Sequence, residues 1–85
     1  MNVKELREFL QDLPDEMEVI LQKDAEGNGF SPLEGLSSDC VYTPTTTWFG
    51  EVHDTKWTAD EACMSEEELA EMNSKPRSLI LYPVN

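Results

Sequence analysis

Leu6, Phe9, Leu10 and Leu13 recur at three- and four-residue steps, so they share one face of a predicted N-terminal helix. Asn2 stands where a cap is needed, and Glu5 three residues later completes a capping box. Met1 and Leu6 are placed for a hydrophobic staple. Pro14 closes the helix, because proline has no amide to donate and disfavours helix in the residue before it. Lys4, Glu5, Arg7, Glu8 and Asp12 fall on the other face and read as a solvated surface.

The periodicity then changes. Glu18-Val19-Ile20-Leu21-Gln22-Lys23 is short, apolar in its middle and β-branched, which predicts a strand. Asp24 to Gly29 reads as a loop, and Pro32 and Gly35 extend the irregular stretch. Leu36 to Tyr42 predicts a second strand, with Leu36, Cys40 and Tyr42 as inward positions. After Pro44 and three threonines the signal is weakest, with Glu51-Val52-His53 as a short strand. Ser65 and Glu68 form a second capping box, with Met64 and Leu69 as its staple, and Thr58 with Glu61 offers a competing helix start. Pro76 closes that segment. Ser78 to Val84 is the strongest strand signal, expected to lie centrally and to pair with Val19–Leu21. The sum is an α+β domain spanning 1–85. An N-terminal helix packs on a small, mostly antiparallel sheet of about three to four strands, with an acidic, partly helical insertion before the last strand.

Charge sharpens this picture. The 85 residues carry 18 acids and 6 bases, a net charge of −12. That balance argues against direct binding to nucleic acid or an anionic membrane, since both need Lys and Arg to displace counterions. It favours a basic partner, although acids also serve plain solubility. A domain this small buries only about 60% of its unfolded surface, which suits shallow recognition better than a deep cleft. No apolar run approaches the roughly 20 residues that span a bilayer, and no secretion signal precedes the first helix. Cys40 and Cys63 are then expected as reduced cytosolic thiols.

Several stretches invite a chemical reading. Asp24-x-Glu26-x-Asn28-Gly29 mimics the opening of a calcium loop, but Gly35 stands where a bidentate Glu is required, and a turn is the plainer reading. Cys40, His53 and Cys63 lack zinc-site spacing and number one ligand too few. No phosphate loop, nucleophile elbow or metalloprotease motif is present, so no catalytic residue, metal or cofactor is expected. Trp48, Phe49 and Trp57 lie among acids, where aromatic rings serve either as interface anchors or as packing over a small sheet. Asp60, Glu61, Glu66, Glu67, Glu68 and Glu71 follow with no intervening base. Joined by Glu16, Glu18 or Asp39 across the surface, a row of carboxylates of this density imitates the charge spacing of nucleic acid, about one per 1.7 Å of duplex axis.

The order Val3-Lys4-Glu5-Leu6, Leu13-Pro14-Asp15, Glu18-Val19, Asp24-Ala25-Glu26-Gly27-Asn28-Gly29 and Ser31-Pro32-Leu33 resembles a group of small acidic proteins encoded by tailed bacteriophages. Tyr42, Thr47-Trp48 and Gly50-Glu51-Val52 are similar too, as is the ending Leu79-Ile80-Leu81-Tyr82-Pro83-Val84-Asn85. The stretch from about His53 to Arg77 matches least. The resemblance implies a phage setting and brings no mechanism with it. Two functions are expected from the sequence. The first is an inhibitor that engages a basic, nucleic-acid-binding surface of a host protein or defence complex through the acids. The second is an accessory or oligomerising protein that binds through Trp48, Phe49 and Trp57, with acids only for solubility.

Overall fold

A computed structural model of the chain describes residues 1–84, so Asn85, the last residue of the resemblance, lies outside the described residues. The fold is α+β: an N-terminal helix, a four-stranded antiparallel sheet, and two short helices before the last strand. The chain divides into two compact units, Met1–Gly35 with Leu81–Asn85, and Leu36–Ile80.

In the first unit, helix α1 spans Val3–Leu10. Its predicted capping box is present: Glu5 N donates to Asn2 Oδ1 at 2.9 Å, and Asn2 N donates to Glu5 Oε1 at 3.0 Å. The regular helix stops before Leu13, whose amide closes a turn onto Leu10 O at 3.0 Å. The approach of Pro14 makes helical geometry costly there. Strand β1 is Ile20–Gln22 and pairs antiparallel with Phe30–Pro32.

Strand β2 runs Phe30–Pro44, straight through Pro32 and Gly35, where the sequence predicts irregular chain. The ladder explains why proline is accepted. Bonds towards β1 flank it, with Lys23 N donating to Gly29 O and Leu33 N donating to Val19 O. Pro32 therefore sits at a non-donating position on that side and supplies its carbonyl to Val84 N at 2.9 Å. Burial along β2 alternates, with Ser31, Leu33, Gly35, Ser37, Asp39 and Val41 on the less exposed side. Leu36 and Tyr42, expected inward, are exposed, while Cys40 and Val41 are the buried apolar side chains among the described residues. The inward parity carries serines and a glycine, so apolar residues marked the wrong face.

Within the second unit, strand β3 (Gly50–Asp54) pairs antiparallel with Cys40–Pro44 in the register Val41↔His53. Both candidate helix starts are used. Helix α2 spans Ala59–Ala62 behind the Thr58/Glu61 box, and α3 spans Glu66–Asn73 behind the Ser65/Glu68 box. Cys63 separates them in a left-handed conformation with φ 56°, a backbone state that stops a helix. Arg77 donates to the carbonyls of Asn73 and Lys75 at 2.8 and 2.9 Å, placing its charge at the negative end of α3.

Strand β4 is Ser78–Pro83. It pairs with β2 and not with the β1 segment, and β2 is the central strand. The three residues of β1 offer little ladder, whereas the fifteen of β2 accommodate three partners. No helix among the described residues is long and apolar enough to cross a membrane.

Candidate binding surface

The second unit carries the aromatic and acidic residues singled out in the sequence, and the structure separates their roles. Thr45 to Phe49 form the tip of the β2–β3 hairpin. Thr45 N and Thr46 N both donate to Phe49 O at 3.0 Å. Thr46 Oγ1 in turn accepts from Trp48 N and Phe49 N at 3.3 Å. The tip is thus tied by its own polar groups, and Trp48 projects from it 84% exposed, beside an exposed Phe49. A bulky ring on a loop held this way loses little freedom on binding, which is what an anchor residue requires.

Trp57 behaves differently. Its ring meets His53 edge-on, with centroids 5.4 Å apart and planes at 84°. His53 is buried, and its Nε2 is 2.9 Å from Asn73 Oδ1, so one contact links β3 to α3. With Asn73 Oδ1 accepting, Nε2 is the donor, and Nδ1 is buried without a hydrogen-bond partner among the described residues. Trp57, Met64 and Met72 line a cavity of about 150 Å³ next to His53. That volume is well below the roughly 300 Å³ at which small-molecule pockets begin. All three aromatics proposed as anchors are exposed, Trp48 and Phe49 at the hairpin tip and Trp57 the least, at 40%, with its ring against His53.

The six acids lie on α2 and α3, and all are exposed. Two have structural duties. Glu61 Oε1 accepts from Thr58 N at 2.8 Å, and Glu68 Oε1 accepts from Ser65 N at 3.2 Å. Glu66 and Glu67 stand in the first turn of α3, where the amide dipoles favour negative charge. Among the described residues, Asp60, Glu66, Glu67 and Glu71 use their carboxylates in no side-chain hydrogen bond or ion pair. The ion pair seen among the described residues is Lys56 with Asp39 at 3.2 Å, so Asp39, a candidate extension of the acidic row, is already committed. That contact raises the Lys56 pKa above its ordinary value, through the hydrogen bond to Asp39 first and its charge second. Glu16 and Glu18 belong to the first unit.

The remaining candidates resolve as structure. Asp24 Oδ1 accepts from Glu26 N at 2.9 Å and Asn28 N at 3.1 Å, and Gly27 takes φ 78°. The calcium-like motif is therefore a closed turn between β1 and β2. Those amides, Asn28 foremost, hold the Asp24 carboxyl below its ordinary pKa. Cys40 is buried and Cys63 exposed, both as free thiols. Among the described residues, no cluster of three or more His, Cys, Asp or Glu is placed to hold a metal ion. What sequence reasoning missed is the His53–Asn73 link, since twenty residues separate the partners and neither stands in a recognisable motif.

No protein-family model, curated protein or solved structure matches the chain.

Proposed function

We propose that the chain is a non-enzymatic, phage-type binding protein of the bacterial cytoplasm. It inhibits a host protein or defence complex by occupying a basic, nucleic-acid-binding surface with the carboxylates of α2 and α3. The observation that carries this reading is the row itself: six exposed acids on two consecutive helices, with no cation among the described residues paired to any of them. An unneutralised row attracts a basic groove over about 8–10 Å at moderate salt and raises the encounter rate. The fixed caps of both helices hold the row in place before the partner arrives.

A second reading rests on a separate observation, the exposed Trp48 at a tied hairpin tip. Here the ring anchors a partner by apolar burial, and the acids contribute only solubility. The two readings respond oppositely to salt, because apolar burial is not screened.

The experiment is capture from nuclease-treated bacterial lysate, followed by affinity measurement on the captured protein across a salt series. The charge variant is Glu66→Lys/Glu67→Lys/Glu71→Lys, which leaves the capping acids Glu61 and Glu68 in place. The mimic reading expects at least about a tenfold loss of affinity for this variant, a 1.4 kcal/mol effect, and a flattened salt dependence. Unchanged affinity in the charge variant, together with a loss in Trp48→Ala, would transfer the function to the hairpin tip.

A further inference from the structure

We propose that the outer edge of β3 is a docking site for an extended, basic segment of a partner protein, which joins the sheet as a further antiparallel strand. For the sign of the partner's charge this rests on the proposed function, and the strand edge is a separate observation.

Strand β3 pairs with β2 in a continuous register, from Cys40↔Asp54 to Pro44↔Gly50, with no bulge. Just beyond its two ends, Thr55 N donates to Asp39 O and Thr45 N to Phe49 O, each at 3.0 Å. Bonded and non-bonded pairs alternate in an antiparallel ladder, so the bonds inside it belong to Val41↔His53 and Thr43↔Glu51. The peptide groups of Gly50 and Val52 then point away from β2. Pro44 agrees with this phase, since the residue opposite Gly50 has no N–H to give. Among the described residues, the amides and carbonyls of Gly50 and Val52 have no backbone partner on the outer side. The free edge ends at Asp54, whose carbonyl accepts from Trp57 N at 3.0 Å. An unpaired edge is a template for another strand, and folds commonly blunt it with a bulge, proline or lysine. Gly50–Asp54 carries none of these, and exposed Glu51 and Val52 leave the edge open.

The same edge adjoins a receiving space. Glu51 and Val52 line the cavity of about 150 Å³ that Trp57, Ala62, Met64 and Met72 also bound. A cavity of that volume holds one group of about benzene's size. An added strand sends alternate side chains to opposite faces of the sheet, so one of them enters the cavity beside Glu51. The flexible thioethers of Met64 and Met72 adapt to its shape. Strand addition works in this way, with main-chain bonds giving affinity and side-chain pockets giving specificity. Charge selects the occupant. Glu51 stands on the edge strand, and Met64 and Met72 border an adjoining hollow with Glu68, Glu71 and Lys75. Three carboxylates against one ammonium repel a second chain of net charge −12. They favour a segment whose apolar residue stands between lysines or arginines at alternate positions.

The test uses the wild-type chain and the synthetic peptide Lys-Thr-Lys-Thr-Leu-Thr-Lys-Thr-Lys, followed by fluorescence anisotropy and by amide hydrogen exchange in NMR. Saturating peptide should slow exchange of the Gly50 and Val52 amides at least about tenfold. Replacing the leucine by threonine should weaken binding at least about tenfold, since the cavity then receives no apolar group. With the leucine opposite Glu51, its two threonine neighbours stand opposite Gly50 and Val52 and donate to them, while the leucine amide points outward. N-methylation of those threonines should therefore abolish binding, and N-methylation of the leucine should leave it within about threefold. Absence of binding, equal loss for the two methylated peptides, or no slowing at Gly50 and Val52 overturns the proposal. Binding that ignores methylation but is lost in Glu66→Lys/Glu67→Lys/Glu71→Lys also overturns the strand edge, and leaves the charge reading standing. Binding that is lost on threonine methylation but unchanged in that charge variant supports the strand edge and removes the acidic row as the recognition element.

Discussion

Replacing Gly50 by alanine tests the hairpin directly. A Cβ built there stands 2.8 Å from Pro44 Cα and 2.8 Å from Tyr42 Cζ, and presses on Thr43 O. Two of these neighbours are backbone of the paired strand, so neither can swing aside. Overpacking ordinarily costs about 1–3 kcal/mol, and contact with backbone places this case at the upper end, about 3 kcal/mol. An 85-residue domain has a total stability of roughly 4–13 kcal/mol at about 0.05–0.15 per residue. At about 4–8 °C per kcal/mol, the melting temperature should fall by roughly 12–24 °C. Circular dichroism melts at one fixed protein concentration would read it, with tryptophan fluorescence following Trp48 at the tip. Gly29→Ala is the control, because its new Cβ meets only the flexible Lys23 side chain, with Cδ nearest at 3.4 Å. If Gly50→Ala melts within about 3 °C of wild type, less than 1 kcal/mol on this scale, the close approach of β2 and β3 at Gly50 is refuted.

Two further outcomes follow from local geometry. Ser65→Ala removes the acceptor for Glu68 N and should cost about 1 kcal/mol in urea denaturation, as should Thr58→Ala. Glu67→Ala removes a carboxylate that bonds to none of the described residues, and it should cost less than either cap. The Asp24 carboxyl is held below its ordinary value of 3.8 in the fold, so the folded chain favours its ionised form. Its contribution is therefore complete above about pH 3.8 and is lost as pH falls through the lowered native value. Asp24→Asn should be less stable than wild type at pH 7, and the gap should close in acid. A gap that does not narrow as the pH falls below 3.8 would show that the charge is not the cause.

What the sequence made legible was local. The Asn2/Glu5, Thr58/Glu61 and Ser65/Glu68 boxes are all formed, because each depends on two side chains three residues apart. Thr58 and Ser65 looked like rivals only until Cys63 was seen to break the chain between them. The strands expected at Glu51–His53 and Ser78–Val84 were also readable, and are formed as Gly50–Asp54 and Ser78–Pro83. The pairing of β4 was not, since an apolar run reveals a strand and says nothing of its neighbour. Pro32 and Gly35 look like breakers in isolation, and Pro32 is tolerated because its nitrogen faces away from β1 in the ladder. Leu36 and Tyr42 misled for a related reason: a strand whose inward side is Ser31, Gly35 and Ser37 gives no hydrophobic alternation to follow. Within the candidate surface, Trp48 and Trp57 were equivalent by sequence. Only the His53 ring, brought alongside Trp57 by the β3 register and the following turn, separates them.

The length of β2 also orders the events of folding. Its two hairpins, closed by Lys23–Gly29 and by Thr45–Phe49, join strands adjacent in sequence and form across short loops. Strand β4 can join only after the whole stretch from Thr45 to Arg77 has been gathered back to β2, a closure with a larger entropic cost. Non-local pairing of this kind sets the slow end of folding rates. Until β4 docks, β2 exposes an unpaired edge, and a chain paused at that stage is the species most prone to pair with its neighbours.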